Sequence, residues 1–98
     1  MNEFFDELSS AFAEAASKRG AHIESPRLDA KLAEELLGLA SVVAHSRERR
    51  FAPLACYLAG VAAARAESVS PKPINVTELV KEIRIRYTPQ EESQKGAG

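Results

Sequence analysis

Phe51 to Ala64 is a run of fourteen residues without a charged side chain, in a chain where 28% of all residues are charged. Its single proline, Pro53, stands in the first turn, the one part of a helix that tolerates a missing N–H and a fixed φ. The run therefore predicts a helix from about residue 52 to 67. Leu54, Leu58, Val61 and Ala62 form its expected core face, while Ala55, Ala59, Gly60 and Ala63 keep the remaining surface small enough for close backbone approach. Fourteen alanine-rich residues fall short of the roughly 20 apolar residues needed to span a bilayer, so this is a core helix of a globular protein.

Three further segments carry helical periodicity. Phe4, Leu8, Ala11 and Ala15, widened by Phe5, Phe12 and Ala16, predict a helix over 2–19. Asn2 is its expected N-cap, Glu3, Asp6 and Glu7 suit the positive end of its dipole, and Lys18-Arg19-Gly20 is its stop. Ser25-Pro26 reads as a cap with proline at the first helical position. It opens a helix over 26–45 whose stripe is Leu32, Leu36, Leu39, Ala40 and Val43, with Leu28 extending it. Leu37 and Ala44 lie off that stripe, which implies cover on more than one side. Ser70-Pro71-Lys72-Pro73 sets an extended connector, and Asn75-Val76-Thr77-Glu78 resembles a capping box for a helix over 75–87. Ile83 to Tyr87 alternates apolar and basic residues, but a lone strand would have no partner, so the segment reads as helix.

These elements predict an all-α, four-helix bundle in one domain, residues 1–87, followed by a polar, disordered tail over 88–98. A formal charge of −1 and a pI near 6.1 argue against a general binder of nucleic acids or acidic membranes. The opening residues are acidic, unlike a secretory leader, and the lone Cys56 has no disulfide partner, so the expected location is cytoplasmic.

Charged groups crowd together in one place, the loop just before the uncharged run. Arg47, Arg49 and Arg50, with Glu48 among them, leave an excess of two positive charges, and His45 ends the preceding helix. Guanidinium forks beside a helix start suit phosphate or carboxylate, which makes His45, Arg47, Arg49 and Arg50 the candidate ligand-binding residues. The competing reading is a solvated helix connection with His45 as a C-terminal cap. Cys56 lies within the apolar helix and reads as a buried, inert thiol. His22 reads as surface, and Glu34 and Glu35 read as the polar face of the second helix. The sequence contains no phosphate-binding glycine loop, nucleophile elbow, zinc signature or di-iron pattern. No catalytic residue, metal ligand or cofactor is assigned, and an enzyme is not expected.

The stretch Val43-Ala44-His45-Ser46-Arg47-Glu48-Arg49-Arg50-Phe51-Ala52-Pro53-Leu54-Ala55-Cys56-Tyr57-Leu58-Ala59-Gly60-Val61-Ala62 resembles the centre of a small actinobacterial helical domain of unknown function. That family reads Val-Ala-His, a short loop with Arg, Ala-Pro-Leu, an aromatic-Leu pair and a Gly three residues after the aromatic. The pattern falls here on Val43, Ala44, His45, Arg49, Ala52, Pro53, Leu54, Tyr57, Leu58 and Gly60. Two departures stand out: Arg50-Phe51 replaces Pro and a small residue, and Ala55-Cys56 replaces residues that usually bear hydroxyls. The family occurs alone or joined to molybdenum-cofactor guanylyltransferases. The resemblance thus implies a non-enzymatic accessory domain with a protein partner in molybdenum-cofactor maturation. The alternative from the residues themselves is a domain binding a small anion or nucleotide through the His45 to Arg50 loop. Small-residue helix faces serve intrachain packing and homodimers equally, so the oligomeric state stays open.

Overall fold

A computed structural model describes residues 2–89. Four α-helices are present, α1 (Glu3–Lys18), α2 (Ala30–Ser46), α3 (Ala52–Val69) and α4 (Val76–Tyr87), with a single 3-10 turn, Arg49–Phe51, leading into α3. No strand occurs among the described residues, so the all-α, four-helix expectation holds, including helix rather than strand at Ile83 to Tyr87. Most of the expected tail, from residue 90 onward, lies outside the described residues. The chain divides into two compact units, one ending at Ala30 and the other beginning at Lys31.

In the first unit, the Asn2 side chain accepts a hydrogen bond from the Phe5 N–H at 3.3 Å, so the expected cap is formed. The far end closes as the Lys18-Arg19-Gly20 signal predicts. The Gly20 N–H donates to the Ser17 carbonyl at 3.0 Å and the Ala21 N–H to the Ala16 carbonyl at 2.9 Å, the paired bonds of a Schellman ending. Gly20 makes this possible by adopting φ +88°, which a side chain disfavours. Gly20→Ala is therefore expected to destabilise by about 1 kcal/mol, through backbone strain alone because an added Cβ would meet nothing within 4 Å. Chemical denaturation read by helical circular dichroism measures it.

The second helix starts four residues later than expected. Pro26 to Asp29 are not helical, and Ser25 caps nothing. Glu24 to Asp29 instead line a cavity together with Phe5, Asp6, Ser9 and Ser10 of α1, and the half-buried Leu28 belongs to the first unit rather than to the stripe of α2. Phe4, Leu8 and Phe12 remain exposed, and the Phe4 and Phe5 rings meet edge to face at 5.2 Å.

The core of the second unit draws one buried residue from each helix, Leu39 of α2, Ala63 of α3 and Val80 of α4. The expectations for α3 hold only in part: Val61 of the expected core face is half-buried, and Gly60 of the small side is exposed. Leu54 and Leu58, read as its core face, are 62% and 65% exposed, and Ala62 is exposed too. The small side turns inward instead, with Ala63 buried and Ala52, Ala55, Cys56, Ala59 and Ala66 half-buried. Alanines permit the closer approach of backbones, and the Cys56 thiol reaches within 3.7 Å of the Leu36 carbonyl of α2. Leu36 lies on the expected stripe of α2, so that stripe does face inward. Leu37 stands 72% exposed, so the cover inferred from it is not there.

The cap of α4 forms as the sequence predicts, the Glu78 N–H donating to Asn75 Oδ1 at 3.0 Å. Between α3 and α4, Ser70 Oγ accepts from the Lys72 N–H at 3.2 Å and donates to the Lys72 carbonyl, fixing the start of the connector.

Candidate functional site

The second unit carries an open apolar groove of about 470 Å³. Leu39 and Val43 of α2, Leu58 and Ala62 of α3, and Leu79 and Ile83 of α4 supply its walls. Polar chemistry enters through Ser46, Arg47 and Tyr87, and Arg47 is the one charged side chain of the lining. The Ser46 hydroxyl is committed to its own helix, donating to the Val42 carbonyl at 2.7 Å. The groove follows directly from the alanine packing: where Ala55, Ala59 and Ala62 line its α3 side, little side-chain volume fills the space.

His45, Arg47, Arg49 and Arg50 are all exposed around the end of α2 and the start of α3. His45 Nδ1 lies 2.7 Å from the Ser41 carbonyl and 3.3 Å from Ser41 Oγ, one turn back on its own helix. Arg47 Nη1 donates to the Ser46 carbonyl at 3.1 Å. Arg50 pairs with Glu48 at 2.8 Å and its guanidinium sits 5.9 Å from the centre of the Phe51 ring. That pair is largely solvated and adds little to stability. The 3-10 turn uses amides that a helix start would otherwise leave free: the Phe51 N–H donates to the Glu48 carbonyl and the Ala52 N–H to the Arg49 carbonyl. Pro53 has none to offer.

Sequence reasoning missed the most structured polar contact. Glu35, read as polar face, is half-buried and accepts the Arg84 fork, Nε to Oε2 at 2.6 Å and Nη2 to Oε1 at 3.5 Å. Hydrogen bonding to Glu35 raises the Arg84 pKa, with the charges of Glu35 and Glu34 helping and partial burial opposing. Forty-nine residues separate the partners, a distance at which helical spacing carries no signal. Gly38, inside α2, was the available clue, because a mid-helix glycine marks close approach: a Cβ there would stand 2.5 Å from Arg84 Cδ.

Cys56, expected to be buried, is half-buried, and this partial burial raises its pKa, so the thiol stays protonated at neutral pH. The folded thiol ionises at higher pH than the unfolded one. This group's contribution to stability is therefore present at neutral pH and lost as pH rises past the ordinary thiol range. Native protein should react with a thiol reagent at least tenfold more slowly than protein unfolded in denaturant at the same pH. Equal rates would contradict the burial of this group.

Among the described residues, no group of three His, Cys, Asp or Glu side chains is placed to hold a metal, and no helix is long and apolar enough to cross a membrane. No curated protein and no solved structure matches this chain. A family model does: residues 1–95 match the one described as Domain of unknown function (DUF6457), and the chain belongs to that family.

Proposed function

We propose that this chain is a non-enzymatic interaction domain that docks a partner protein on the second unit, over the groove and the outward face of α3. The observation that carries this reading is the continuity of exposed apolar surface there. Leu54, Tyr57 and Leu58 are 62%, 70% and 65% exposed, and Leu58 also lines the groove. Exposed apolar surface gathered in one place, bordered by polar groups, is characteristic of protein contact sites. The resemblance around Val43 to Ala62 makes a cytoplasmic molybdenum-cofactor guanylyltransferase the partner to test first. Co-expression with that enzyme should recover a complex, and Leu58→Asp should abolish it while leaving helical circular dichroism unchanged. Failure to recover the complex would remove the molybdenum-cofactor assignment.

The loop supports a second reading, capture of a small anion or nucleotide by His45, Arg47, Arg49 and Arg50, since all four are exposed together. Titration with guanine nucleotides should then shift the loop's amide resonances, weaken with salt and fail in Arg49→Ala. Unchanged resonances would end it.

A further inference from the structure

We infer that the segment docking in the groove is an amphipathic helix with an acidic end, held with that end against the Arg47 to Arg50 loop. The inference rests on the interaction reading and names the chemistry of the partner's segment.

Three observations point the same way. The groove lies among helices and its walls are aliphatic, the surface into which an amphipathic helix lays its apolar face. Its one charged lining residue, Arg47, begins the cationic loop, so the charge is placed at one end rather than spread along the walls. An apolar track joins the two: Leu58, Leu54 and Phe51 succeed one another at helical spacing along one side of α3 and its leading turn, and all three are exposed. A helix following that track arrives beside Arg47, Arg49 and Arg50.

The charge balance at that end favours an anion. Glu48 is the acid of the loop, and it is already paired with Arg50, leaving Arg47 and Arg49 to meet carboxylates. On α4, the exposed Glu78 and Glu82 flank Leu79 and Ile83 of the groove wall, with Lys81 and Arg86 close by in sequence, so that helix brings both signs. Arg84 is spent on Glu35. Arg65 shares the face of Leu58 and Ala62 on α3, seven and three residues on, and is exposed. Arg65 is balanced by the exposed Glu67 of the same helix, so the excess of cation lies in the loop. Charges at such a rim act mainly on encounter rate and orientation, which makes them selective for the sign of the partner.

Fluorescence anisotropy with two labelled synthetic peptides tests this on the full chain. Both are the same 16-residue leucine and alanine amphipathic helix, one with two glutamates in its first turn and the other with two lysines. At low salt the glutamate peptide should bind at least tenfold more tightly than the lysine peptide. Arg47→Glu, which takes the loop from an excess of two positive charges to none, should remove that preference, and Leu58→Asp, at an exposed position, should weaken both. Equal affinity of the two peptides would overturn the acidic partner while leaving the interaction reading intact. Absence of binding by either peptide, or binding that Leu58→Asp leaves unchanged, would overturn both. Sedimentation of the wild-type chain as a dimer that Leu58→Asp dissociates would assign the groove to a second copy and also overturn the proposal.

Discussion

Replacing Leu39 with alanine is expected to destabilise the second unit by about 2–4 kcal/mol, the range for emptying a buried leucine site. Leu39 is 4% exposed and is the largest of the three residues that form the core. Neighbouring alanine cannot expand into the space, and the groove that Leu39 lines offers water a way in. For a unit of this size the loss corresponds to a fall in melting temperature on the order of 15 °C. Leu37→Ala, two residues away and 72% exposed in the wild type, supplies the control, with a change within about 0.5 kcal/mol. Comparable losses at the two positions would contradict the observed orientation of α2.

The second large effect is one of sign. Gly38→Ala places a Cβ at 2.5 Å from Arg84 Cδ and 3.3 Å from its Nε, so the guanidinium has to leave the fork with Glu35. Alanine raises helix propensity by about 1 kcal/mol, while losing a hydrogen bond to a partly buried charge costs about 1.5–3 kcal/mol. The substitution should thus destabilise the wild type by about 0.5–2 kcal/mol. In an Arg84→Ala background the obstacle and the pair are both gone, and the same Gly38→Ala should stabilise by about 1 kcal/mol. Denaturant melts of the four proteins in this double-mutant cycle measure the coupling. The same sign in both backgrounds would contradict it. Arg84 is the flexible partner of the two, so a conserved fork in a Gly38→Ala structure would have the same meaning.

The local signals were legible and the pairing signals were not. Asn2, Gly20 and Asn75 set the ends of their helices through bonds to amides within a few residues, which the sequence displays directly. Pro26 misled because the cap signal does not set the start of α2, and Glu24 to Asp29 instead line a cavity with residues of α1. Periodicity found α3 but misplaced Leu54, Leu58 and Ala62 of its expected core face. Hydrophobicity ranks Leu54 and Leu58 above Ala59 and Ala63, whereas packing against α2 selected for smallness. The arginine loop was visible as a cluster. Its place at the mouth of an apolar groove required α4, whose contribution through Leu79 and Ile83 is fixed by tertiary contact rather than by neighbours in sequence.

A core of Leu39, Ala63 and Val80 removes little hydrocarbon from water, and this has a calorimetric signature. Heat capacity on unfolding follows newly hydrated apolar area, so the second unit should melt with a small increment and a shallow stability curve, changing little between cold and body temperature. Covering Leu54, Tyr57 and Leu58 would hide apolar area that folding leaves in water. Association would then carry a negative heat-capacity change.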